Sequence, residues 1–377
     1  MTLPKKEEQA LLLTDLDFNK INETVYLYGQ QDYVARMGVY IATVFPMLNV
    51  KKIKFGLENE GTSKELFILQ SKDHLLPPAS QKPLLIVCFF AFFRSQAEEH
   101  LRSLGYCRFF FYDSQMDNLL KRCYLDKVYE GEGKQFLLLE EMTDEHEADA
   151  KETQVYMALC EVDKSLSREP SPSQYIIPIQ VGAALTDRRM AQVTDDTGDN
   201  ISIRNRHYSE MTAFYWLWKN AKADYLGLCH YRRWFKNINT IARKLQTVDI
   251  DAVLPLPTYY EKPLNEGYLR RYLPAVTTLF WNVLQDMAPD YFADAKKILG
   301  GHWQYGNNMC ILSRHTLDAY AGWLFPIVME IEHRADGIAD ESKKRFAGYC
   351  TECLLTIYFL SNKQKWRIAH AEKEFLE

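Results

Sequence analysis

The chemistry-bearing part of the sequence is DYLGLCHYRRWF at residues 224–235, where an apolar run of strand length ends in His230, Tyr231, Arg232 and Arg233. The carboxyl ends of strands are where open α/β sheets bind ligands. Two permanent cations and one titratable ring at such an end suit a phosphorylated ligand, because arginine forks match phosphate oxygens bidentately. If enough cations converge, a departing diphosphate is stabilised without a metal ion. The competing assignment is a salt-bridge cluster in which Asp224, Asp249 or Asp251 neutralises the strand end.

Three sets of carboxylates could complete a site. Glu352 is expected in the first turn of a late helix capped by Thr351, where it would serve as a general base or only complement the helix dipole. The loop DDTGDNISIRN at residues 195–205 carries Asp195, Asp196, Asp199 and Asn200. It could hold a cation or bind sugar hydroxyls, with Asp199 as a second base candidate. It lacks the alternation and terminal Glu of a calcium loop, and taken alone a turn rich in Asx caps is its more frequent explanation. Asp249 and Asp251 form a DxD that precedes its strand, which favours a solvated strand entry over a metal site. Cys350 and Cys353 have CxxC spacing, but no second pair or nearby His completes a zinc set.

These residues need elements to hold them. The first third alternates strands and helices. TVYLYG, then an apolar helical pattern over 32–48, then VKKIKFGLEN make a βαβ unit; PLLIVCFF and CRFFFYD flank the helix SQAEEHLRSLG, with Gly105 as its C-cap. This reads as a Rossmann-like domain over residues 1–150. Its turn, Gly29-Gln30-Gln31, lacks two of the glycines that admit a pyrophosphate, so an accessory role is preferred to dinucleotide binding. The charged run 140–152 reads as a solvated linker or loop between the halves, and SLSREPSPSQ as a loop. In residues 151–377, Met211, Phe214, Tyr215 and Trp218 form an apolar helix face behind a Ser209 cap, and NNMCILSR is a strand that starts with Asn307 and Asn308.

With 377 residues, 47% hydrophobic, the chain is long enough for two cores. A net charge of -5 gives no global field for nucleic acid. Eight cysteines in mostly apolar segments suit a reducing cytoplasm. The start, MTLPKKEEQALLLTDLDF, does not read as a signal peptide, and no segment reaches membrane-span length, which leaves peripheral membrane association.

The ordered string PIQVGAAL, DDTGDNISIRNRHYSEMTAFYWLWKN, DYLGLCHYRRWF, YGNNMCILSR, WLFPIVMEIE and RFAGYCTECLL, over about residues 153–365, resembles a family of bacterial capsule and O-antigen glycosyltransferases. The family was long described as a domain of unknown function, and some members are associated with galactofuranose transfer. The resemblance implies a GT-A-like α/β domain, a UDP-sugar donor and a growing glycan or lipid-linked acceptor. His230, Arg232 and Arg233 would stand where many GT-A enzymes place a metal-binding DxD. Gly182, Asp196, Asp199 and Asn200 would line the donor pocket, Asn308 and Met309 the sugar site, and Glu352 the position of the base. Cys353 departs from the pattern, where an Arg is expected. No cofactor is firmly implied, with Mn or Mg as the metals to consider, and other polysaccharide-assembly enzymes are candidate partners. A silent scaffold and a nucleotide-sugar oxidoreductase are the rival readings; the first requires internal carboxylates at the strand end, the second a phosphate-cradling glycine loop.

Overall fold

The computed structural model describes residues 18–55, 75–89, 94–163, 166, 172–338 and 344–376. The N-terminal stretch up to residue 17, the end of VKKIKFGLEN, Phe90 and most of SLSREPSPSQ lie outside them. The chain is a mixed α/β protein of two compact units, Met1–Phe136 and Leu137–Glu377.

In the first unit, β1 (Val25–Gln30) and β2 (Val50–Phe55) bracket α1 (Gln31–Val44), and β3 (Leu84–Cys88), α2 (Arg94–Ser103), β4 (Phe109–Phe111) and α3 (Ser114–Gly131) follow. The four strands form a parallel sheet in the order β2-β1-β3-β4. Gly29 has φ +151°, and a Cβ there would stand 2.2 Å from the Cys88 carbonyl oxygen. Close strand pairing therefore accounts for this glycine. Asp117 accepts hydrogen bonds from Lys121 Nζ at 2.8 Å and from the Tyr112 hydroxyl. Burial works against its charge, but Lys121 and Arg36 hold its pKa down to about 2.

The second unit starts at Leu137, so the run 140–152 belongs to it and is no linker. Leu139 and Met142 are buried in its core, while Glu145 pairs with Arg367 and Asp144 with Lys244. Its main sheet contains β5 (Thr153–Leu159), β6 (Ile176–Gln180), β7 (Val193–Thr194), β8 (Tyr225–His230), β10 (Ala252–Pro255), β13 (Cys310–Ser313) and β14 (Ile368–Ala371), in the order β14-β10-β13-β8-β5-β6-β7. Strand β9 (Arg233–Phe235) turns back on β8 and pairs with β15 (Lys373–Phe375). β13 is antiparallel to both β8 and β10, whereas the other strand pairs along that order are parallel. The carboxyl ends of β5, β6, β7, β8, β10 and β14 and the start of β13 consequently share one edge.

Two helices carry site residues to that edge. The first, α5, spans Met211–Asn220 after the short α4 at Asn205–Tyr208. It buries Met211, Phe214 and Leu217, and Trp218 stacks on Phe325 at 5.6 Å. Ser209 does not cap it: its φ is 51°, and Glu210 occupies the cap position. The second helix, α11, runs Phe346–Ser361; between the two lie α6 (Ile238–Lys244), α7 (Tyr268–Tyr272), α8 (Thr277–Met287), α9 (Pro289–Leu299) and α10 (Arg314–Arg334). Among the described residues no helix is long and apolar enough to cross a membrane.

Gly227, in the middle of β8, sits where neighbouring strands leave no room. An added Cβ would lie 2.8 Å from Ile311 Cγ1, 2.9 Å from the Cys310 carbonyl oxygen and 3.1 Å from Val155 Cγ2. Gly227→Ala is expected to cost about 1–3 kcal/mol through overpacking, read as a lower midpoint in chemical denaturation.

Candidate active site

At the end of β8, His230 Nε2 lies 2.6 Å from the Asn307 carbonyl oxygen, so this nitrogen donates and carries the proton. Burial drives the His230 pKa down, with Arg233 adding to the effect and the charge of Glu210 opposing it. The carbonyl is aimed at the ring by two consecutive left-handed residues, Asn307 at φ 68° and Asn308 at φ 50°. Asparagine is among the few side chains that tolerate this backbone.

Arg232 and Arg233 make no ion pair with a carboxylate among the described residues. Their guanidinium groups each lie 5.4 Å from the Phe375 ring centre, and Arg232 is also 5.5 Å from Tyr231. The buried Arg232 Nε has no hydrogen-bond partner. The aspartates that could have neutralised them are engaged at the opposite edge of the sheet. Asp224 accepts from the Glu152 N–H at 2.8 Å, Asp249 pairs with Lys151 at 2.9 Å, and Asp251 accepts from the Arg367 N–H at 2.7 Å. Burial lowers the Arg233 pKa, Arg232 lowers it further, and Glu352 and Glu210 act against both.

Glu352 is buried beside them. Helix α11 begins at Phe346 with Arg345 as its left-handed cap, so Thr351 is not a cap and Glu352 is not in the first turn. Thr351 Oγ1 instead donates to the Gly348 carbonyl at 2.8 Å. Burial, and then the charge of Glu210, push the Glu352 pKa up to about 7, although the Asn307 N–H, the Tyr268 hydroxyl and Arg233 all favour its ionised form.

Glu210 is the member that the sequence did not reveal. It is buried and accepts from Asn308 Nδ2 at 2.8 Å; the same amide donates to the Gly348 carbonyl at 3.1 Å. The Asn308 Oδ1 is buried with no partner. A glutamate just before an apolar helix reads as a solvated first-turn acid, and the only hint was that it follows the pattern-breaking Ser209. Met309, expected at the site, is fully buried in the core with Val155, Cys229 and Val253.

The acidic loop makes its hydrogen bonds locally. Asp195, fully buried, accepts from the Gly182 N–H at 2.9 Å, the Ala183 N–H at 3.0 Å and Ser202 Oγ at 2.5 Å. Asp196 binds Thr194 Oγ1 at 2.6 Å and Arg189 at 3.1 Å. Asp199 accepts from the Tyr215 hydroxyl at 3.1 Å, and Asn200 accepts from the Ser202 N–H at 3.2 Å. Gly182, with φ 67°, is the turn on which Asp195 closes. No hydrogen bond or ion pair joins Asp196, Asp199 or Asn200 to His230, Arg232, Arg233, Glu210 or Glu352 among the described residues. Nor is there among them a group of three or more His, Cys, Asp or Glu that could hold a metal ion.

Fold and site together define a mixed α/β protein whose sheet edge confronts a pair of buried carboxylates with a pair of arginines that have no ion-pair partner among the described residues. The chain belongs to the family described as a domain of unknown function (DUF4422), which matches residues 164–364. It is similar in fold to the apo structure of the bifunctional glycosyltransferase WbbM, with 24% identity and a TM-score of 0.52. The match covers 60% of this chain and 45% of that one, so the chain matches less than half of that protein's length. No curated protein matches the sequence.

The Glu352 pKa, about 7 against an ordinary 4.5, makes a linkage prediction. Between these values the folded chain holds the proton more tightly than the unfolded one, so the carboxyl's contribution to stability falls as pH rises from about 4.5 to about 7. Relative to Glu352→Gln, the wild type is expected to lose up to about 1 kcal/mol per pH unit across that window. Denaturation midpoints of both chains at pH 5 to 8 check it; parallel pH profiles would contradict it.

Proposed function

We propose that the second unit is a glycosyltransferase of GT-A type that moves a hexose, galactofuranose or a relative, from a UDP-sugar to a growing cell-surface polysaccharide or lipid-linked glycan. The observation that carries this reading is the buried Glu352, poised near neutral pH, beside arginines that no carboxylate among the described residues pairs. The fold likeness to a bifunctional glycosyltransferase supports it. The first unit is read as a Rossmann-like accessory domain, and the enzyme as cytoplasmic, working at the inner face of the membrane.

In this mechanism Arg232 and Arg233 hold the diphosphate, and the neutral His230 fixes the Asn307 turn. Glu352 takes the proton of the acceptor hydroxyl as its oxygen bonds to the anomeric carbon, while the bond from that carbon to the phosphate oxygen breaks and its electron pair leaves with UDP. One base on one face gives inversion. The Asn308 Oδ1 is a ready acceptor for a sugar hydroxyl, and the loop of Gly182, Asp196, Asp199 and Asn200 forms a wall of the donor pocket. The arginines take the place of a metal: Mn or Mg would meet cationic groups at the same spot.

Transfer is expected to rise with pH through about 7 as Glu352 ionises, and Glu352→Gln is expected to lower it by roughly 10²–10⁴-fold with donor affinity little changed. Arg232→Ala or Arg233→Ala should weaken UDP binding by about 2–5 kcal/mol, because a charge-assisted contact in a partly desolvated site is lost. Calorimetric titration of UDP with and without chelator separates this clamp from its rivals. Chelator-sensitive affinity would require a metal, and unchanged UDP affinity in both arginine variants would reject the clamp.

A further inference from the structure

The face of α11 that carries Glu352 continues outward. Arg345, Tyr349 and Glu352 are spaced i, i+4 and i+7, which places them on one stripe of the helix. The short α7 faces this stripe with Tyr268 and Tyr272, also one turn apart. Tyr268 is buried and donates to Glu352. Its ring lies 4.8 Å from Tyr272 and 6.3 Å from Tyr349, and Tyr272 stacks on Tyr349 at 4.7 Å with 27° between the planes. At the outer end, Arg345 and Arg271 lie 5.6 Å and 5.4 Å from the rings of Tyr349 and Tyr272. Burial decreases along this line: Tyr268 is buried, Tyr272 and Tyr349 are half-buried, and both arginines are exposed.

Tyr272 and Tyr349 pack against the core of the second unit and are still half-exposed, so core filling leaves part of each ring's surface unused. Aromatic faces are partly negative and suit the C–H surface of a sugar ring, and the Tyr349 hydroxyl has no hydrogen-bond partner among the described residues. Position selects the ligand. In the proposed reaction the base must meet the attacking hydroxyl, and the tyrosine line ends on Glu352 through the Tyr268 hydroxyl. With the diphosphate on the arginines, the tyrosine side is left for the attacking hydroxyl.

We propose that Tyr268, Tyr272 and Tyr349 form a track for the terminal sugars of a glycan acceptor, which leads its free hydroxyl to Glu352. This rests on the glycosyltransferase reading above. The test is titration of maltose, lactose, gentiobiose, chitobiose and mannobiose by saturation-transfer NMR, with and without saturating UDP, in the wild type, Tyr349→Ala and Tyr349→Phe. At least one disaccharide is expected to bind the wild type. Tyr349→Ala should weaken it by about tenfold or more, and Tyr349→Phe, which keeps the ring, by less than about threefold. UDP affinity should be the same in all three proteins. Failure of every disaccharide to bind the wild type, or equal binding by Tyr349→Ala, overturns the track. The donor reading fails separately, if the wild type binds no UDP; a ring-dependent disaccharide affinity measured without UDP would then leave the saccharide track standing.

Discussion

Everything at the sheet edge depends on how charge is balanced where water is excluded. Glu352 is buried beside the charge of Glu210, and its own ionised form needs compensation there. The Asn307–Asn308 turn supplies most of it. One backbone N–H supports Glu352, one side-chain amide supports Glu210, and one carbonyl fixes the proton of His230 on Nε2 while burial keeps the ring neutral. The Tyr268 hydroxyl and the charge of Arg233 add to the support of Glu352. Removing the two left-handed asparagines would therefore affect both carboxylates and the imidazole together.

The acidic loop next to this edge is built on a different plan. Asp195 closes the Gly182 turn from inside, Asp196 binds Thr194 and Arg189 just ahead of the loop, and Asp199 and Asn200 find partners on α5 and within the loop. Such a loop is fixed before any ligand arrives, so little ordering entropy is lost when something binds against it.

Much of this architecture could be read from residue patterns, and the failures have physical causes. The β8 strand and its cationic end were legible because an apolar run of strand length stops abruptly at His230. That β13 runs antiparallel was not, since a strand of four residues, three of them apolar, carries no sign of direction. The α11 helix was placed too late because Arg345 caps it in a left-handed conformation that leaves no polar side-chain signal, whereas Thr351 mimics a cap and in fact bonds back to Gly348. The second unit begins earlier than composition suggests, because Leu139 and Met142 are the few apolar residues in a charged run whose partners, Lys244 and Arg367, lie far along the chain. The acidic loop misled for a related reason: residue type cannot tell whether a carboxylate spends its lone pairs on its own backbone or offers them to a ligand.

The pairing of Leu138 with His370 brings the two flanks of the second unit together, and the Arg367 contact with Glu145 reinforces it. Contacts that close so long a loop come late in folding, since their entropy must be lost before they repay it. During synthesis the strands from β5 to β13 would emerge with the β10 edge still open, waiting for β14. Until residues near 370 leave the ribosome, that edge is a sticky template for other chains, and the nascent protein depends on speed or on chaperones to reach its closed form.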